Sequence, residues 1–473
     1  MNSKPQNYAY PLAILTSLFF AWGFITAMND VLIPYLKGAF DLSYSQSLLV
    51  QFAFFSAYFF GSLIYFIVSS TSGDPIAKIG YKNGLILGLI IAAIGCGLFY
   101  PAAEYKVYEF FLGALFTLGL GLTLLQIAAN PYVTLLGRPE TASSRLNFTQ
   151  GFNSFGTTIA PPIGAYLIYE YFKTGSEVSI ESVKPLYIFL AVAFLLLAAM
   201  IKSATLPKKV SSDNSESTGG ESALRYSNLV FGIGAIFCYV GAEVAIGSFL
   251  VNFLGLEEIM GLEEGEAARL LALYWGGAMI GRFAGSISMN NSLAQGNKIV
   301  YMVFASGLQK PCTQYMVFAS GLLYVVITLV SGLSFGESAP FLLFIAINLV
   351  LFLISKGMPS RTLAVFALLA ASLLVVGVVM KGEVAMWAIL AIGLFNSIMW
   401  SNIFALSIAG LGNATSQGSS LLVMAILGGA LVPYLQANIA DASGLQVSFL
   451  VPVACYAYLV FFGLIGSRPG KFQ

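Results

Sequence analysis

Residues 19–36 read FFAWGFITAMNDVLIPYL. This stretch decides the fold class because it is apolar and long enough to cross a membrane. It also has one carboxylate, Asp30, in its interior. A carboxylate at the centre of a bilayer costs about 2.5–3.5 kcal/mol on insertion scales, so it is seldom kept there without a function. The residues around Asp30 on a helix carry no charge that would compensate it. The alternative is a carboxylate that reaches the outer surface from a helix end, because Pro34 and Lys37 follow within two turns.

A second acidic residue, Glu243, lies within the apolar stretch FCYVGAEVAIGSFL at residues 237–250. The chain has no histidine, and its other Asp and Glu residues fall in loops or at the ends of the apolar stretches. Near neutral pH, a carboxylate or a bound ion is then the plausible carrier of charge through a membrane. The alternative is a neutral glutamic acid that bonds to a neighbouring helix. We interpret Asp30 and Glu243 as ion-coupling residues, which indicates ion-coupled transport.

Composition predicts an all-α membrane protein. The chain is 58% hydrophobic and 9% charged, with a mean hydropathy of +0.85, and apolar stretches of about 20 residues recur along it. The polar stretch at residues 203–225 is rich in Ser, Gly and charge, which is typical of a flexible linker. We therefore predict a six-helix bundle over residues 1–202, a cytoplasmic linker over 203–225, and a second bundle over 226–473. The hydropathy pattern places six spans before the linker and eight after it, fourteen in all.

The positive charges predict the orientation in the membrane. Most of the 22 Lys and Arg residues, among which we place Arg282, fall in inner loops or at inner span ends when both termini lie in the cytoplasm. This bias follows the positive-inside rule. The sequence thus predicts a multi-pass membrane protein with two cytoplasmic termini.

One octapeptide, YMVFASGL, occurs twice, at residues 301–308 and 315–322. Two identical copies this close together do not make an architectural repeat. We interpret them as a local duplication that lengthens an inner loop and leaves the number of spans unchanged.

Four segments in succession carry a family resemblance. They are MNDVLIPYL at 28–36, AANPYVTLLG at 128–137, RLNFTQGFNSFG at 145–156 and YVGAEVAIGSFL at 239–250. Together they resemble the fucose–proton symporter family of the major facilitator superfamily, and within it the bacterial glucose/galactose transporter branch. The resemblance implies the major facilitator fold, in which two six-helix bundles related by a pseudo-two-fold axis enclose a midplane cavity that opens to either side in turn.

The chain departs from the family pattern in two ways. The family has twelve helices, so we expect the surplus pair near residues 315–355, where an even insertion keeps every later helix in its orientation. The second departure is chemical. In proton–fucose symporters the position before the xAANP motif is a glutamate, but here it is Gln126, two residues before AANP at 128–131. Conversely, the seventh span has Glu243 where the family has glutamine. A carboxylate has thus moved from one wall of the expected cavity to the other.

Amides, one carboxylate and aromatic side chains form the expected sugar site. The predicted substrate-binding residues are Asp30, Gln126, Asn130, Gln150, Asn153, Trp275, Asn396 and Trp400. Amides both donate and accept hydrogen bonds, as sugar hydroxyls do, and indole faces stack on a pyranose. Asn396 and Trp400 are four apart and should share a helix face. The alternative for each amide is a hydrogen bond between helices, which is common in membranes.

Several classes of function are excluded. The chain has no G-x-x-x-x-G-K-[ST] loop to hydrolyse a nucleotide, and without histidine it has neither an HExxH metal site nor a Ser–His nucleophile. The net charge of +1 argues against a nucleic-acid partner. We predict a protein that is not an enzyme and needs no cofactor or metal. Its partners are a small sugar, a coupling ion and the lipid bilayer, and we expect a monomer.

The function that the sequence favours is secondary active import of a sugar, coupled to a proton or sodium gradient. The resemblance makes glucose and galactose the expected substrates and the bacterial inner (plasma) membrane the expected location. The alternative substrate is an amino sugar such as N-acetylglucosamine. The alternative function is that of a membrane sensor that binds sugar without moving it. A drug exporter would need a more apolar cavity than the polar residues predicted here.

Overall fold

The protein is helical throughout the part that the structure describes. The structure, a computed structural model, describes residues 8–42, 44–167, 171, 180–207, 222–290 and 312–471. Within these residues no β-strand occurs beyond one isolated antiparallel bridge between Tyr226 and Lys471. Most of the predicted linker and the first copy of the octapeptide lie outside the described residues, whereas the second copy lies in a helix.

Six long helices precede the linker: α1 (Ala9–Phe40), α2 (Tyr44–Ser72), α3 (Tyr81–Gly97), α4 (Tyr108–Leu135), α5 (Ala142–Tyr166) and α6 (Val183–Ser203). The helices after the linker are α7 (Ser227–Leu254), α8 (Glu264–Ser288), α9 (Cys312–Ser331), α10 (Phe341–Ile354), α11 (Pro359–Val379), α12 (Gly382–Asn396), α13 (Met399–Ser407), α14 (Thr415–Met424), α15 (Gly428–Ser443) and α16 (Leu450–Phe461). Helices α12 and α13 together form one span, as do α14 and α15.

Fourteen segments account for the predicted spans. Eleven of the described helical segments are long and apolar enough to cross a membrane. The other three are α5, which is rich in polar residues, α8, which carries several charges, and α10, which has only 14 residues. The prediction of an all-α membrane protein is therefore confirmed, and the described helices are compatible with the fourteen predicted spans.

The chain forms two compact units. The first comprises Met1–Leu136, Phe155–Ala223 and Leu411–Met424, and the second comprises Gly137–Ser154, Leu224–Gly410 and Ala425–Gln473. Helix α5 thus contributes its first part to the second unit, and α14 belongs to the first unit, where it packs on α2 and α4. The division in chain order into residues 1–202, 203–225 and 226–473 stays a prediction.

Close helix packing in the first unit depends on glycine. A Cβ atom added at Gly121 of α4 would lie 2.4 Å from the backbone nitrogen of Ala92 in α3, and one at Gly95 would lie 2.4 Å from that of Leu118. At both positions the opposing atoms belong to the backbone, so the two helices would have to move apart to accommodate a Cβ atom. Small residues allow this approach, and dispersion contacts then hold the helices together in lipid.

The contacts of the second unit identify the surplus pair of helices. In the first unit, α3 packs on both α4 and α6; in the second, α11 packs in the same way on α12 and α16. Helices α9 and α10, which we call the inserted pair, lie in the chain between α8 and α11 and pack mainly on α8 and α12. The insertion was expected near residues 315–355, and these two helices span 312–354.

Candidate functional site

Glu243 is largely buried near the middle of α7. Its Oε1 atom accepts a hydrogen bond of 2.7 Å from the hydroxyl of Tyr239, one turn earlier on the same helix. The same oxygen lies 3.9 Å from Nη2 of Arg282 on α8, and the side chains are only 14% and 11% exposed. The buried carboxylate therefore faces a buried cation from a neighbouring helix.

The position of Arg282 corrects the prediction from the charge pattern, which placed this residue at an inner span end. The residue lies inside α8, which continues to Ser288, and its guanidinium points to buried partners. It donates to Oγ of Ser154, to the carbonyl of Ser397 at 3.2 Å and to the carbonyl of Gln150 at 3.5 Å. Arg282 thus connects Glu243 to α5 and to the turn between α12 and α13.

Three tyrosines and Asn396 extend the polar cluster. The hydroxyl of Tyr274 donates to the backbone carbonyl of Glu243 at 3.0 Å and accepts from Nδ2 of Asn396 at 2.9 Å. The hydroxyl of Tyr456 donates to Oδ1 of Asn396 at 2.5 Å. The predicted site residue Asn396 is therefore joined to Glu243 through Tyr274. Tyr239, Tyr274 and Tyr456 were not among the predicted site residues, because tyrosine in an apolar span looks like any other aromatic residue.

The helix that carries Asn396 is interrupted immediately after it. Helix α12 ends at Asn396 and α13 begins at Met399, so Asn396 and Trp400 do not lie on one continuous helix as predicted. The indole of Trp400 is buried and stacks on Phe404, with ring centroids 6.2 Å apart. Its Nε1 atom has no hydrogen-bond partner among the described residues.

The remaining predicted residues of the second unit lie on α5 and α8. Gln150 is buried, and its Nε2 atom has no partner in the described part of the chain, whereas Asn153 is half-buried. Trp275 is 39% exposed and covers Gly247 on α7, where an added Cβ would lie 2.7 Å from the indole. The glycine leaves room for this ring four residues after Glu243.

The first unit contains a separate group of polar residues. Gln126 and Asn130 are buried on α4, and both polar atoms of the Asn130 amide and Oε1 of Gln126 lack a partner among the described residues. The hydroxyl of Tyr58 on α2 lies within reach of Trp22, Thr26 and Gln126. Asp30 falls within α1, but its side chain is outside the described part of the structure.

Two buried clusters can thus do chemistry. The second unit holds a carboxylate, a guanidinium and three phenols in one hydrogen-bonded group. The first unit holds amides that can still donate and accept. In the described residues, no three His, Cys, Asp or Glu side chains come together as a metal site would require.

Comparison with known proteins identifies the family of the chain. The family described as Major Facilitator Superfamily matches residues 14–336. The glucose/galactose transporter of Brucella abortus is 46% identical over 472 residues, with 99% of this chain and 96% of that protein covered. The L-fucose-proton symporter of Escherichia coli is 31% identical and covers 98% of this chain and 95% of its own length.

A solved structure extends the match to the fold. The crystal structure of a variant of the E. coli fucose:proton symporter aligns with a TM-score of 0.74 at 29% identity, over 98% of this chain and 100% of that one. The family model covers more than half of the chain, and its curated relatives align over nearly their whole length. The chain therefore belongs to the Major Facilitator Superfamily.

Proposed function

We propose that the protein imports a hexose of the glucose or galactose type and draws the energy from a proton gradient by alternating access. The observation that carries the proposal is the buried pair of Glu243 and Arg282, 3.9 Å apart, which gives the carboxylate two distinct electrostatic states. The names of the relatives support the substrate class and the proton, since the more similar relatives are glucose/galactose transporters and the more distant ones fucose–proton symporters.

Glu243 is the proposed proton carrier. When ionised, it attracts the guanidinium of Arg282 at 3.9 Å while it accepts from Tyr239. A proton on Glu243 removes the attraction but leaves the carboxyl able to bond to the phenol. Protonation therefore removes one partner of Arg282, while Glu243 keeps its hydrogen bond from Tyr239.

Arg282 is the proposed link between the proton and the helices that move. Its three other partners, Ser154, Gln150 and Ser397, belong to α5 and to the turn between α12 and α13. Because a buried charge must keep partners, loss of the attraction to Glu243 strengthens its dependence on these groups. The protonation state of Glu243 thereby changes how strongly Arg282 is held to α5 and to the turn between α12 and α13.

The proposed sugar-binding residues are Asp30, Gln126, Asn130, Gln150, Asn153, Trp275, Asn396 and Trp400. The buried amides on α4 and α5 offer polar atoms without a protein partner in the described residues, which suits the hydroxyls of a hexose. Asn396 has one donor and one acceptor position left after its bonds to Tyr274 and Tyr456. Asp30 is proposed as both a hydroxyl acceptor and a second ion-coupling residue.

We further propose the membrane topology that the charges predict. Bundles at residues 1–202 and 226–473 are joined by a cytoplasmic linker at 203–225, and both termini lie in the cytoplasm of a bacterial inner membrane. The positive charges in the loops support this orientation. We propose that the transporter works as a monomer.

Proteoliposomes with an imposed gradient test the proposal. Uptake of radiolabelled glucose, galactose, fucose and N-acetylglucosamine is measured with an inward proton gradient, with an inward sodium gradient and with neither. We expect glucose or galactose to accumulate with protons only. Accumulation with sodium alone would mean that sodium, and not the proton, is the coupling ion. Accumulation of N-acetylglucosamine alone would mean that the substrate is an amino sugar. Binding of a sugar without any accumulation would contradict transport and favour a sensor.

A further inference from the structure

The inserted pair contacts the helix that carries Asn396 through one buried amide. Asn348 on α10 is fully buried, and its Nδ2 atom donates to the backbone carbonyl of Leu394 on α12 at 3.1 Å. Leu394 lies two residues before Asn396, close to the end of α12. A residue of the surplus helices therefore bonds to the backbone of a helix that carries a proposed sugar ligand.

The bonded carbonyl lies at the interruption of the helix. Where a helix ends, its last carbonyls lose their partners along the chain, and in the interior of a membrane protein each must find another. The Leu394 carbonyl accepts from Asn348 and also from Oγ of Ser397 at 2.6 Å. The Ser397 carbonyl accepts from Nε of Arg282 at 3.2 Å. Side chains of α10 and α8 thus hold the two sides of the turn.

The inserted pair also fixes the position of α8 relative to this turn. A Cβ atom added at Gly276 of α8 would lie 2.6 Å from Ile327 of α9. One at Gly285 would lie 2.5 Å from Ile398 in the turn and 3.3 Å from Phe352 of α10. Helix α8 therefore lies against the inserted pair and against the interrupted helix with no spare room.

We propose that the inserted pair supports the interrupted helix, and that Asn348 is a positioning residue for Asn396. By holding the Leu394 carbonyl, Asn348 keeps the end of α12 in the orientation in which Asn396 bonds to both Tyr274 and Tyr456. The inserted pair is then part of the site's framework, although its outer faces are apolar and exposed. The proposal depends on the proposed sugar transport only for its second measurement.

Fluorescence of Trp400 gives the first measurement, which needs no sugar. Trp400 follows the turn by two residues, and Trp22, Trp275 and Trp387 are replaced by Phe so that it alone emits. We expect Asn348→Leu to shift the emission maximum, because the end of α12 loses a donor and moves. The control is Thr328→Val, which removes a buried hydrogen bond of 3.3 Å between Thr328 and Ser338 inside the inserted pair. We expect this control to leave the emission unchanged.

Sugar binding to the purified full-length protein gives the second measurement. We expect Asn348→Leu to weaken hexose binding by about three- to tenfold, the range for one lost hydrogen bond, while Thr328→Val stays within about twofold of wild type. Adding Tyr456→Phe should reduce the further effect of Asn348→Leu, since both act through Asn396. Asn348→Ser replaces Asn348→Leu if the latter does not fold.

Two outcomes would overturn the proposal. One is equal emission in Asn348→Leu and wild type, and the other is full additivity of Asn348→Leu with Tyr456→Phe. If wild type binds none of the hexoses, the proposed function fails. The emission of Trp400 then decides by itself whether the inserted pair supports the interrupted helix.

Discussion

The replacement Glu243→Gln separates the coupling of transport from transport itself. Glutamine keeps the shape of the protonated acid, and its carbonyl can accept from Tyr239 as Oε1 does at 2.7 Å. It cannot release a proton. We therefore expect sugar exchange to continue and net uphill uptake to stop, because the empty carrier then returns without any coupling to the gradient.

The imposed gradient sets the size of the loss of accumulation, and the structure sets the size of the loss of stability. One proton moved per sugar down a gradient of one pH unit supplies about 1.4 kcal/mol, so wild type should accumulate sugar about tenfold, and Glu243→Gln should reach about onefold. The replacement also leaves Arg282 without its anion. Breaking a buried pair typically costs about 3–5 kcal/mol. We expect a smaller loss here because the two groups are 3.9 Å apart and Arg282 keeps three other acceptors.

The assay compares counterflow and gradient-driven uptake in the same proteoliposomes. Counterflow should stay within about threefold of wild type while the accumulation ratio falls to unity. The matched control is the double replacement Glu243→Gln with Arg282→Gln, which removes both charges and should recover any lost thermal stability without restoring uptake. Equal loss of counterflow and uptake in the stable, folded Glu243→Gln protein would refute the reasoning and make Glu243 a binding or structural residue.

Three further outcomes are expected. Asp30→Asn should abolish concentrative uptake because an amide cannot ionise, and accumulation of radiolabelled sugar against its gradient would remove Asp30 from the coupling. Adding Gln126→Glu to Glu243→Gln should restore part of the accumulation ratio if the carboxylate can act from α4; a ratio that stays at unity would show that it must lie on α7. The topology is tested with single cysteines in a background without the native ones. Ala339 and Lys356 are exposed and lie at opposite ends of α10, so an impermeant thiol reagent should label Ala339→Cys and not Lys356→Cys in intact cells. The reverse labelling would mean that every span after α9 has the opposite orientation.

Hydropathy and charge were sufficient for the spans and for selecting Glu243 as a carboxylate inside a span. Both signals are local, since an apolar stretch of about 20 residues spans a bilayer wherever it occurs, and a carboxylate inside it is costly in any surroundings. The insertion between α8 and α11 followed from setting the fourteen predicted spans against the twelve helices that the family resemblance implies, and an even insertion is compatible with the later pattern of charges. The family resemblance then added the fold.

The partners of Glu243 could not be predicted in the same way. Arg282 comes from another helix, and the charge pattern counted it with the inner loops because more basic residues follow α8 in the chain. The available signal was a lone guanidinium followed by apolar and small residues up to Ser288. The turn after Asn396 was hidden as well. Its stability comes from donors on α8 and α10, and no local property of the sequence predicts it.

The amides of Gln126 and Asn130 bear on how the transporter would tell one sugar from another. Among the described residues, Oε1 of Gln126 and both polar atoms of the Asn130 amide lack a partner. A buried amide that stays unpaired costs about 1–3 kcal/mol. A deoxy analogue lacking the hydroxyl that faces such an amide should thus bind about 5- to 150-fold more weakly. An extra methylene, by contrast, is only weakly rejected by an apolar wall. A series of deoxyhexoses would then show which amide faces which hydroxyl. The variant that binds the hexose and one deoxyhexose equally well has lost the amide that faces the missing hydroxyl.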